Sequence, residues 1–122
     1  MFSLFKKPLK ENIEKGKFLP ILNNIIELLY ENSNVGQAEW VEKIKSSLLE
    51  NDNDSFKKKL ISVDMWGGSG AVWEVGFIDT DEREKKFILE LIKLLDLIKE
   101  SGIKSKGAYS RKNILQKFLR EM

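Results

Sequence analysis

The sequence predicts a mainly α-helical single domain over residues 1–122, a bundle of four to six helices with residues 1–8 as a flexible N-terminus. Three observations carry this. Apolar residues recur at helical spacing along most of the chain, capping residues stand where those runs begin, and 122 residues suffice for one hydrophobic core but not two. The glycine-rich segment at 67–78 leaves open a short strand, which would make the domain α+β.

Taken in order, Lys10 to Lys15 suits a short first helix carrying Ile13 and ended by Gly16. Pro20 suits the first turn of the next helix, because its missing N–H would be unpaired there anyway. Ile21, Leu22, Ile25, Ile26, Leu28 and Leu29 then make that helix apolar around more than half its circumference, which predicts burial. It should stop at Asn32-Ser33-Asn34. Asn34 with Gln37 reads as a capping box for a helix over 35–50, with Ala38, Val41, Ile44, Leu48 and Leu49 on its inner side. After the loop Asn51-Asp52-Asn53-Asp54, Asp54 or Ser55 can cap a short helix carrying Phe56, Leu60 and Ile61, with Lys57-Lys58-Lys59 in its first turns. Asp79 with Glu82 reads as a second capping box, opening the helix of 81–100 along Phe87, Ile88, Leu91, Ile92, Leu95 and Ile98. Lys104 to Tyr109 reads as a basic linker, and Ser110 as the cap of a last helix carrying Ile114, Leu115, Phe118 and Leu119.

The stretch from Val63 to Ile78 is ambiguous. Alternation of Ala71, Trp73, Val75 and Phe77 reads as a strand, and a glycine loop opening into a helical turn reads equally well, so 71–78 stays open between the two. Gly67-Gly68-Ser69-Gly70 could cradle a phosphate, but Ala71-Val72 follow where a phosphate loop needs Lys-Ser/Thr, and Trp73 stands where a dinucleotide fingerprint needs a small residue. The expectation is a tight backbone passage between packed elements. Asp52-Asn53-Asp54 and Asp79-Thr80-Asp81 lack the glycine and glutamate that a calcium loop requires, and Asp79 is better read as a helix cap.

With no histidine and no cysteine the chain has no zinc site of the usual kind and no Ser-His or Cys-His nucleophile pair. The expectation is no enzyme, no metal and no cofactor. Met1-Phe2-Ser3-Leu4-Phe5-Lys6-Lys7 places apolar residues before charges, the reverse of a secretory signal, and no apolar run approaches a bilayer span, so a cytoplasmic chain without a membrane partner is expected.

The net charge of +2 hides bands. Residues 27–54 hold seven acids against two bases, and residues 64–100 nine against five. The tail from Ser101 holds six bases against Glu121. Lys104, Lys106, Tyr109, Arg111, Lys112, Lys117 and Arg120 are thus the best nucleic-acid candidates, although the acidic bands oppose a phosphate backbone and make nucleic acid the lesser reading. Of three tryptophans, Trp66 reads as core, while Trp40 and Trp73 are open to core or binding roles.

The segment from Trp66 to Val75 resembles a family of short, uncharacterised bacterial proteins that carry an aromatic, Gly-Gly-x-Gly, a small residue and an acid three residues on. Trp66, Gly67, Gly68, Gly70, Ala71 and Glu74 fill those places, with Ala71 where serine is commoner and Glu74 where aspartate is. The resemblance implies an immunity-protein-like role: a helical bacterial protein that binds and neutralises a cognate toxin without catalysis. The partner-binding residues expected are Glu31, Glu39, Trp40, Glu42, Trp73, Glu74 and Asp79, a shared acidic face with apolar anchors. The alternative is a small nucleic-acid-binding or regulatory domain using the basic tail.

Overall fold

The computed structural model describes residues 11–78 and 81–122. In chain order they form α1 (Lys15–Glu31), α2 (Val35–Leu49), α3 (Asn53–Leu60), α4 (Val63–Trp66), a 3-10 turn (Val72–Glu74), α5 (Asp81–Glu100), α6 (Lys106–Tyr109) and α7 (Arg111–Arg120). No strand occurs among the described residues, so the domain is mainly α. The expected flexibility of residues 1–8 and the Asp79 cap lie outside them.

Helix α1 organises the bundle. Phe18, Leu22, Ile25, Ile26, Leu28 and Leu29 are buried on it, and it packs against both α2 and α5. A helix meeting two neighbours needs apolar residues over more than one stripe, and this sequence supplies them. Helix α3 packs on α2, and Phe56 of α3 meets Phe18 of α1 edge-on with ring centroids 5.1 Å apart. On the other side α5 carries α7, and Phe87 of α5 meets Phe77 of the preceding segment at 5.1 Å.

The start of α1 differs from expectation. Residues 11–14 are not helical and Lys15 opens α1, so there is no short helix ended by Gly16. Pro20 is inside α1, past the first turn. It deprives the Gly16 carbonyl of its i+4 partner, but both residues are solvent-exposed, where water can replace the lost donor, and buried Phe18 and Leu22 hold the turn against the core.

Helices α1, α2 and α5 end alike. Past each last turn stands a residue in the left-handed region: Ser33 at φ 62°, Asn51 at φ 60° and Gly102 at φ 82°. The following N–H reaches back to the third-last residue: Asn34 to Leu29 O at 2.8 Å, Asp52 to Ser47 O at 3.0 Å, Ile103 to Ile98 O at 3.2 Å. This closes the exposed carbonyls of each helix end.

The helix starts are less regular. Asn34 makes no side-chain cap: its Oδ1 accepts from Asn32 Nδ2 at 2.6 Å, while Gln37 donates to Gly70 O at 3.3 Å, so the expected capping box is replaced by a tie between α2 and the glycine segment. Asp52, not Asp54 or Ser55, caps α3 by accepting from the Ser55 N–H at 3.2 Å. Lys57, Lys58 and Lys59 consequently fall in the last turn of α3, where cations complement the helix dipole. The presumed linker 104–109 contains the one-turn α6, capped by Ser105 accepting from the Ala108 N–H at 3.1 Å. Ser110 donates to Gly107 O at 2.9 Å and caps nothing.

The glycine segment is a passage of backbone between packed side chains. The Trp66 indole N–H donates to Leu60 O at 2.8 Å and that of Trp73 to Gly67 O at 2.6 Å. Gly67 sits so close to α4 that a Cβ there would lie 2.6 Å from Val63 O. Gly70 takes φ 89°, which only glycine adopts freely.

Candidate partner-binding surface

The outward face of α2 follows from its inward one. With Ala38, Val41, Ile44 and Leu48 buried, helical spacing turns Glu39, Glu42, Lys43, Ser46 and Glu50 to solvent. Tyr30 stands exposed at the end of α1, and its hydroxyl donates to Glu42 Oε2 at 3.0 Å. Loss of hydration, the hydrogen bond to Glu42 and the charges of Glu42 and Glu39 together push the phenol above its ordinary pKa. Both carboxylates therefore act on one aromatic side chain.

These acids are not neutralised by the lysines beside them. Among the described residues, Glu39, Glu42 and Glu50 form no ion pair. The Lys43 amine lies instead over the Trp40 ring, 5.7 Å from its centroid, and Lys59 donates to Ser47 Oγ at 2.9 Å. Glu39, Glu42 and Glu50 share with Lys43, Ser46 and Lys59 an open depression of about 570 Å³. Trp40 is half-buried, and its indole N–H is enclosed without an acceptor.

The structure divides the expected site residues. It brings Glu39 and Glu42 together with Tyr30, and puts Trp40 on the same helix. Glu31 follows Tyr30 on α1 and faces Arg83, its Oε1 3.8 Å from the guanidinium Nε. Glu74 and Trp73 line a separate depression with Glu84, Ile88 and Phe118. Trp73 is only 9% exposed, with the Arg111 guanidinium 4.5 Å above its ring, so little of it is open to a partner. Asp79 lies outside the described residues. Tyr30 was missed because an aromatic in a strongly apolar helix reads as core; its place in the last turn, beside Glu31, is the only outward signal.

The basic tail is partly spent on the fold. Arg111 donates from Nε to Trp66 O at 2.8 Å and stacks on Trp73, locking α7 to the glycine segment. Lys112 pairs with Asp96 at 2.6 Å. Lys117 and Arg120 remain exposed at the end of α7. Among the described residues no helix is long and apolar enough to cross a membrane. No family model, no curated protein and no solved structure matches this chain.

Proposed function

We propose that this chain is a non-catalytic protein-binding domain that presents an acidic, aromatic face to a basic partner, as an immunity protein meets a bacterial toxin in the cytoplasm. The observation that carries the reading is that Glu39 and Glu42 lack ion-pair partners although Lys43 is adjacent, its amine being drawn over Trp40 instead. Unneutralised carboxylates on one helix face repel each other at some cost to folding, and a basic partner relieves that repulsion. Tyr30 and Trp40 supply the aromatic contact area on which binding hot spots are built. Absence of histidine and cysteine agrees with binding rather than chemistry.

The test uses the product of the neighbouring gene, expressed in a bacterial host with and without this chain. The expected outcome is rescue of growth by the wild type and loss of rescue by Glu39→Lys with Glu42→Lys, whose helical circular dichroism stays unchanged. Association measured with the purified pair should slow in that variant, and in the wild type as salt rises. Full rescue by the double reversal removes the α2 face from binding.

A further inference from the structure

Between the glycine segment, α5 and α7 lies a groove of about 290 Å³ that no residue of α2 lines. Its floor is apolar. Ile88 of α5 and Leu115 of α7 are buried under it, half-buried Val75 adjoins them, and Phe118 stands at its edge with 45% of its surface exposed. By helical spacing Phe118 shares a face with Leu115, three residues before it, so the open ring belongs to the groove and not to the outer side of α7. Two carboxylates stand over this floor. Glu74 is exposed and two residues from Gly76, and a Cβ on Gly76 would meet Oε1 of half-buried Glu84 at 3.9 Å. Neither acid forms an ion pair among the described residues, and no lysine or arginine lines the groove. Arg111, stacked on the Trp73 ring, donates its Nε to Trp66 O and pairs with neither.

An apolar floor beneath a rim of one charge sign is the layout of an anchor site in a protein interface, where burial supplies affinity and the rim selects the partner. Two accessible carboxylates without a counter-charge repel each other, and an exposed ring keeps apolar surface in water. One guest relieves both costs if it carries a cation beside a large apolar side chain. The size agrees: pockets for whole small-molecule ligands begin at about 300 Å³, so this groove suits a single large side chain. We propose that the groove docks a segment of a partner protein in which phenylalanine or another large apolar residue is flanked by lysine or arginine. The apolar side chain rests on Ile88, Leu115 and Phe118, and the flanking cations pair with Glu74 and Glu84. The inference stands independently of the α2 face.

The experiment is a titration of the full chain with acetyl-Lys-Phe-Lys-amide, followed by the Gly76 backbone amide and the Ile88 and Leu115 methyl resonances. A saturable shift is expected at those positions, with affinity falling as salt rises. Acetyl-Lys-Ala-Lys-amide and acetyl-Glu-Phe-Glu-amide should each bind about tenfold more weakly, since each keeps only half of the match. Glu74→Gln with Glu84→Gln should lower affinity about tenfold, whereas Glu39→Gln with Glu42→Gln, an equal charge change on α2, should leave it unchanged. Gly76→Lys tests the same acids by addition: a Cβ meets only an ordinary contact there, and a tethered amine beside Glu84 should compete with the peptide and weaken it several-fold. No saturable shift, equal binding of the glutamate-flanked peptide, or unchanged affinity in the Glu74 and Glu84 variant overturns the proposal. So does the same shift on concentrating the chain alone, which gives the groove to a second copy. Binding of 2-phenylethylamine as tight as that of the peptide also overturns it, in favour of a small aromatic amine.

Discussion

Ser33 does at the end of α1 what Gly102 does at the end of α5, but with a Cβ in the way. The left-handed conformation costs a residue with a side chain about 1–2 kcal/mol, less for asparagine. Glycine returns part of that gain through its freer unfolded chain. Ser33→Gly should therefore stabilise the domain by about 0.5–1 kcal/mol in urea unfolding, and Asn51→Gly by less. The paired glycines of the Trp66 segment separate just as clearly. Gly67→Ala drives a methyl into the Val63 carbonyl and should cost about 1–3 kcal/mol, whereas Gly68 has open space around it and should accept alanine with little change. Equal effects at 67 and 68 would mean that the passage past α4 is not tight. At this scale one buried acid is legible in the sequence alone. Glu90 stands three residues after Phe87 and four before Leu94, on the apolar stripe itself, and an acid on a core stripe is a signal that needs no structure.

The elements that the sequence made legible are those with the strongest period. Helices were expected over 35–50 and 81–100, and they occur at Val35–Leu49 and Asp81–Glu100, because a long apolar stripe can be buried in only one way. Leu91, fully buried in α5, should cost about 2–5 kcal/mol when changed to alanine, and a loss near zero would contradict the packing of α5 on α1. What was not legible depends on contacts between elements. Gln37 fits a local capping pattern, yet its amide goes to Gly70, a partner that sequence spacing cannot reveal. Pro20 suits a helix start by local rules, but core packing of Phe18 extends α1 ahead of it. Arg111 reads as part of a phosphate-binding tail, and its task is to close α7 onto Trp66 and Trp73. A charged hydrogen bond to a carbonyl and a stacked guanidinium together predict a loss of about 2–3 kcal/mol for Arg111→Ala. Arg111→Lys should recover little of it, since a point charge cannot both donate along Nε and lie flat on the ring.

Across the whole molecule, charge decides which polymer the chain can meet. The sequence concentrates bases in the tail, which invites a nucleic-acid reading, but charge in sequence is not charge at a surface. Arg111 is turned inward on Trp73 and Lys112 is tied to Asp96, which leaves Lys117 and Arg120 as the exposed cations of α7 without an ion pair among the described residues. At Lys57 the Glu11 carboxylate lies 2.6 Å away. Phosphate binding gains affinity from each cation that releases a counterion, and with Lys104 and Lys106, which are exposed and unpaired ahead of α7, only four cations of the tail are free for it, which gives a weak, salt-dependent attraction. The acids of α2 and α5 oppose even that at longer range. The chain should accordingly show no measurable binding to arbitrary duplex DNA or single-stranded RNA near physiological ionic strength, by fluorescence anisotropy with labelled oligonucleotides. At low salt a weak complex should form that Lys117→Glu with Arg120→Glu abolishes, while Arg111→Ala changes it only through stability. A micromolar complex that persists at physiological salt and is lost on reversing Lys117 and Arg120 would overturn the proposed role of the α2 face and favour nucleic-acid binding at the end of α7.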